Sequence, residues 1–231
     1  MSHMNLKMTT LLLAVALTPA CSDDETTGPT DEARVRVVHA SPDAPAVDVL
    51  VDGAEVLADV PYLGVSEYLD LSAGERSLTV NAAGTPTTVI DADVRLAEGA
   101  DYTVIAGGTV GSIAPIVLQD DNTAPAAGNA RVRAIHGAPG APAVDVYVTA
   151  PGADLAQVAP TLTGVEFGDV ADYLEVPAGD YQVRVTPTGD TNVVIDSGVL
   201  SLAAGQVRTA IAVDAAGGGA PFDLLLLSDL N

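Results

Sequence analysis

The chain has 231 residues, 48% of them apolar, with one Cys, no Trp, 22 Gly, 15 Pro and a formal net charge of −22. Val- and Ala-rich composition with this much Gly and Pro favours short strands and tight turns over long helices. A surface so acidic repels phosphate backbones, which excludes nucleic acid as an expected partner, disfavours electrostatic docking on anionic lipid, and leaves cations and basic partners open.

The amino terminus reads as an address. Lys7 precedes the apolar run Met8 to Leu17, then Thr18-Pro19-Ala20-Cys21, then the acidic stretch Ser22 to Glu32. The run is too short to cross a bilayer, which needs about 20 residues, and suits a secretory leader over 1–21. A sole cysteine after such a run resembles a bacterial lipoprotein signal, which implies acylation of Cys21 and a membrane partner reached through that lipid. By the same resemblance Ser22 points to the outer membrane or cell surface. Residues 22–32 are then a flexible tether. One cysteine allows no intrachain disulfide, and acylation would remove a thiol that is a liability outside the cell. Ser2-His3-Met4 reads as a cloning scar, so the natural start falls at Met1, Met4 or Met8.

After the tether the chain repeats itself. Ala33 to Val51, ARVRVVHASPDAPAVDVLV, returns as Ala130 to Val148, ARVRAIHGAPGAPAVDVYV. A period of about one hundred residues is too long for a solenoid unit and fits a small all-β domain. The expected fold is two tandem immunoglobulin-like antiparallel β-sandwiches, over 33–120 and 130–231, joined by a linker over 121–129. Val47, Val49 and Val51 alternate with Asp48, Leu50 and Asp52 and lead into the hairpin turn Asp52-Gly53. Further hairpins are expected from Glu67–Leu71 to Ser77–Asn81 through Gly74, and from Leu96 to Tyr102 through Gly99. Their echoes run from Asp172–Val176 to Tyr181–Val185 through Gly179, and from Leu202 to Val207 through Gly205. Phe222 to Leu227 is the expected last core strand, with strand addition to a filament neighbour as the alternative.

The candidate site residues all lie in the doubled phrase: His39, Pro42, Asp43, Pro45 and Asp48, answered by His136, Pro139, Pro142 and Asp145. Strand parity puts His39 on the face of Val35 and Val37, so a structural imidazole bonded to loop carbonyls or an aspartate is expected, with a metal or catalytic role as the alternative. Asp43 has Gly140 as its counterpart, which weakens any ligand pair built on that loop. Asp48 and Asp145 point away from the flanking valines, where a cross-strand ion pair with Arg36 and Arg133 is expected and a calcium ligand is the alternative. No nucleophile elbow, P-loop, dinucleotide fingerprint or H-E-x-x-H occurs, so no catalytic residue or cofactor is expected.

The phrase VHASPDAPAVDV, residues 38–49, and its echo IHGAPGAPAVDV, residues 135–146, resemble a bacterial and archaeal family labelled domain of unknown function four-three-nine-seven. The resemblance covers nearly everything after Ala33. It implies exported or anchored immunoglobulin-like sandwich modules, and transfers no activity or site. The expected function is thus a non-catalytic envelope lipoprotein, a surface binding, adhesion or spacer module for an unidentified extracellular protein or glycan. A calcium-stiffened adhesin, a filament subunit and a periplasmic enzyme are the alternatives.

Overall fold

The computed structural model describes residues 31–229. The leader, Cys21 and nearly all of the tether lie outside the described residues. Eight strands make the first copy: β1 Glu32–Ala40, β2 Val47–Val51, β3 Ala54–Val60, β4 Leu69–Ser72, β5 Gly74–Ala82, β6 Thr88–Leu96, β7 Asp101–Gly107 and β8 Ala114–Asp120. Eight make the second: β9 Asn129–His136, β10 Val144–Thr149, β11 Leu162–Val165, β12 Leu174–Pro177, β13 Gly179–Pro187, β14 Ile195–Leu202, β15 Val207–Val213 and β16 Asp223–Ser228. They form four four-stranded sheets, ordered β3-β2-β5-β6 and β4-β1-β7-β8 in the first copy, β11-β10-β13-β14 and β12-β9-β15-β16 in the second. The protein is all-β, two sandwiches in tandem.

The Asp52-Gly53 hairpin forms as its chemistry requires, with φ of 51° and 79° at the two turn residues. The other expected hairpins do not. β4 pairs with β1 while β5 pairs with β2 and β6, so the turn at Gly74, φ 110°, carries the chain from one sheet to the other. β6 and β7 are separated in the same way, as are their echoes β12 from β13 and β14 from β15. The physical reason is that alternation fixes which face of a strand is buried, but not which strand lies beside it. Each sheet also holds one or no parallel pair: β1 runs parallel to β7 and β9 to β15, the remainder being antiparallel. A parallel pair needs a long crossover, and here the intervening strands of the other sheet supply it.

Parity along β1 then places the cores. Val35 and Val37 join Val47, Val49, Leu78, Val80, Leu96, Tyr102 and Val104 between the sheets of the first copy. The opposite face of β1 is buried as well. Val38 and Ala40 pack with Ile105 and Leu118 against Ile135, Ile211, Val213 and Leu227 of the second copy. The four sheets are therefore stacked with a shared apolar seam in the middle. Leu227 lies in that seam, and β16 pairs along its length with β15, so the apolar tail is the last strand of the second sandwich.

Arg36 and Arg133 sit in this seam, each 3% exposed, and do not face Asp48 and Asp145 as expected. The contacts cross over. Arg36 Nη2 donates to Asp229 Oδ1 at 2.6 Å and Arg36 Nη1 to the Ser228 carbonyl at 2.9 Å, while Arg133 Nη2 donates to Asp120. Thr103 accepts from Arg36 and donates to Asp120, and Thr209 accepts from Arg133 and donates to Asp229. Tyr68 donates to Asp120 at 2.7 Å and Tyr173 to Asp229 at 2.9 Å. Each tyrosine ring also lies under its own copy's guanidinium, 4.9 Å from Arg36 and 4.7 Å from Arg133. Buried charges survive only with such complete pairing.

Candidate functional site

The doubled phrase builds two matching loops. His39 is fully buried and its Nε2 lies 3.0 Å from the Pro45 carbonyl oxygen, while the Ser41 N–H points at Nδ1 from 3.4 Å. His136 repeats this with the Pro142 carbonyl at 3.1 Å and the Ala138 N–H at 3.4 Å. A ring that donates from Nε2 and accepts at Nδ1 is a neutral imidazole with both nitrogens engaged. Burial pushes the His39 pKa down, against the Pro45 hydrogen bond that raises it. Each ring meets an aromatic edge-on, Tyr62 at 6.1 Å and Phe167 at 6.5 Å between centroids. With both nitrogens on backbone, neither imidazole can take a substrate proton or ligate a metal without first breaking its own loop.

The remaining phrase residues hold turns. Asp48 accepts the N–H groups of Asp59 at 2.8 Å and Gly84 at 2.9 Å, and Asp145 accepts those of Gly164 at 2.9 Å and Gly189 at 3.0 Å. All four donors have positive φ. One carboxylate thus pins two tight turns on neighbouring strands, and these hydrogen bonds hold both carboxyls below the usual carboxylate range. Asp43 accepts the Val110 N–H at 2.7 Å. At Gly140 a side chain has no room, since a Cβ would meet Gly219 N at 2.8 Å and Asp214 Oδ2 at 2.9 Å. Pro42 gives its carbonyl to the Gly217 N–H at 2.7 Å, and Tyr62 donates to the Asp214 carbonyl at 2.6 Å, so the first phrase also clasps the second copy. Burial and the Asp214 charge push the Tyr62 pKa up to about 12. Pro139 lies between β9 and β10, in the same loop as Gly140. Among the described residues no three His, Cys, Asp or Glu side chains gather as a metal-binding set.

A concave site lies elsewhere, where sequence reading placed none. A cleft of about 450 Å³ opens between the sheets of the second sandwich, lined by Val132, Ala134, Val146, Val148, Leu162 and Val176, with Thr161 and Asp172 among its polar neighbours. The corresponding space in the first sandwich, among Val35, Val37, Val49, Val51, Val56 and Leu71, is about 20 Å³. The available signal was the repeat's own drift: Val37 becomes Ala134, Val104 becomes Ala210, and seven-residue β3 becomes four-residue β11.

The family model described as Domain of unknown function (DUF4397) matches residues 33–147 and 149–231. No curated protein matches the chain. Among solved structures, it is similar to family 41 carbohydrate-binding modules from streptococcal virulence factors, reported for alpha-glucan recognition, at 13% identity and a TM-score of 0.29 over 83% of this chain and 96% of that one. It is similar to a family 26 carbohydrate-binding module of Eubacterium rectale Amy13K, solved with maltoheptaose, at 14% identity and a TM-score of 0.22 over 87% and 98%. The Bacillus anthracis TIE protein matches at 12% identity and a TM-score of 0.26 over 78% of this chain, which spans only 33% of that protein. No ligand or activity is carried over from likenesses this distant.

Proposed function

The chain belongs to the DUF4397 family, and from that premise we propose that it is a non-catalytic binding module of the cell envelope, anchored by an acylated Cys21 at the outer membrane or cell surface. The observation that carries the non-catalytic part is the fate of the two imidazoles, the most reactive groups of the repeat, which are buried and bonded to backbone. The crossed arginine and aspartate pairs support a rigid body, suited to holding a binding surface away from a membrane. Its partner is an extracellular protein or glycan, and the acidic surface favours a neutral or basic one. Among the described residues no helix is long and apolar enough to cross a membrane. Fractionation of cells expressing the natural chain and Cys21→Ala tests the anchor. The natural chain is expected to pellet with membranes and the variant to appear in the soluble fraction. A variant that still pellets while folded and monodisperse in vitro refutes the assignment.

A further inference from the structure

The two sandwiches are built from one sequence plan, yet only one has kept its interior closed. In the first copy Tyr102 is 7% exposed within the core, and its hydroxyl accepts the Ala97 N–H at 3.0 Å, bracing the crossing from β6 to β7. In the second copy Arg208 stands at that position, and the equivalent Ala203 N–H is taken by Gln206 Oε1 at 3.0 Å. Gln206 has assumed the bracing role, which frees position 208 for another.

Arg208 lines a cavity of about 200 Å³ with Val183, Leu200, Leu202 and Leu226, and this cavity shares Val132 and Val148 with the larger cleft. The cleft stays open because β11 pairs with β10 only at Val144–Val165 and Val146–Leu162, leaving Val148 beyond its reach. In the first copy β3 runs the full length of β2, and Val56 closes that space. Five of the eight arginines are ion-paired, yet among the described residues no carboxylate pairs with Arg208, in a chain carrying 31 acidic residues.

We propose that the second sandwich binds a single-chain anionic amphiphile, a long-chain carboxylate, with its alkyl chain between the sheets along Val132 and Val148 and its carboxylate on Arg208. An aliphatic lining suits methylene groups, and the volume lies within the roughly 300–1,000 Å³ of ordinary small-molecule sites. A guanidinium with no carboxylate partner among the described residues supplies charge complementarity and a planar fork matched to a carboxylate. Asp172 is exposed and lines the larger cleft, which Arg208 does not, and it repels an anionic head there, which sets the direction of binding. The site goes beyond the envelope reading above and holds whether or not Cys21 is acylated.

The test uses the full Cys21→Ala chain, which carries no lipid of its own, titrated with dodecanoate, 1-dodecanol and dodecyltrimethylammonium against a dansylated undecanoate reporter. Dodecanoate is expected to displace the reporter with micromolar affinity at one molecule per chain, ahead of the cationic amphiphile. Arg208→Gln should weaken dodecanoate by about tenfold or more while leaving 1-dodecanol within about twofold. Arg208→Lys should recover part of the loss, and Ala134→Phe, which fills the cleft, should abolish both. Melting temperatures verify that each variant is folded. Absence of saturable dodecanoate binding below about 1 mM, or equal dodecanoate affinity in Arg208→Gln, overturns the proposal.

Discussion

Removing Asp120 should do more damage than any surface substitution of the same size. Its carboxylate receives Tyr68, Thr103 and Arg133, and it is 7% exposed. In Asp120→Ala, Arg133 remains buried with its nearest remaining carboxylate, Asp229, at 3.9 Å, and the Tyr68 hydroxyl loses its acceptor. Breaking a buried pair from one side costs about 3–5 kcal/mol, because the surviving charge is left without compensation. For a body of this size each kcal/mol moves Tm by roughly 2–4 °C, so a fall of about 10 °C is expected. Because Asp120 belongs to the first copy and Arg133 to the second, calorimetry should also change shape. The natural chain is expected to melt in one transition, and Asp120→Ala in two.

A companion variant separates the ion pairs from the apolar seam around them. Replacing all four charges together, Arg36→Met, Arg133→Met, Asp120→Leu and Asp229→Leu, should recover most of the lost stability, since apolar groups of similar volume replace buried pairs at little cost. A fall of less than about 2 °C in Asp120→Ala would refute the reasoning. So would a fourfold variant no more stable than the single one.

Other predictions are narrower. Restoring the repeat's aspartate with Gly140→Asp should destabilise by about 1–3 kcal/mol, since the new Cβ presses on the Gly219 backbone and its charge on Asp214. Chemical denaturation measures this, and an unchanged midpoint would show that the 214–219 loop yields freely. The lowered pKa of His39 gives a pH dependence of defined sign. The folded state favours the neutral ring, so this contribution is present in full above the unfolded value of about 6.5 and is lost as pH falls towards the lower folded value. Tm should therefore decline between about pH 7.5 and 5.5, and His39→Gln should flatten that slope while lowering stability at neutral pH. An identical slope in the variant would remove His39 as the source.

The strands and the duplication were legible because both rest on local signals. Val47, Val49 and Val51 alternate, Asp52-Gly53 can hardly be anything but a turn, and the echo from Ala130 onwards fixes the second copy. Partners were not legible. Glu67–Leu71 and Ser77–Asn81 read as a hairpin because nothing in a period-two pattern says whether the chain stays in a sheet or leaves it at Gly74. The seam was visible in part, since Val104-Ile105-Ala106 and Ala210-Ile211-Ala212 lack alternation, the mark of a strand buried on both faces. Arg36 and Arg133 concealed it, because arginine on an alternating strand reads as the wet face. The phrase residues from His39 to Asp48 were legible as a structural motif, but the turn amides that Asp48 binds were not, because Asp59 and Gly84 lie well along the chain and meet it only in the folded sheet. The cleft went unseen because it arises from what Ala134 and the short β11 fail to fill.

The crossed grip of Arg36 on Asp229 and of Arg133 on Asp120 has a wider consequence. Reciprocal contacts, in which residue i of one unit meets j of the other and j meets i, are the mark of an isologous interface with two-fold symmetry. A polypeptide carrying a single repeat of this kind would present the same face and satisfy it with a second molecule, as a homodimer. Joining the two units in one chain ends the requirement that they stay identical. One unit could keep its tightly filled interior while the other hollowed out, an asymmetry that a symmetric pair of separate subunits cannot reach.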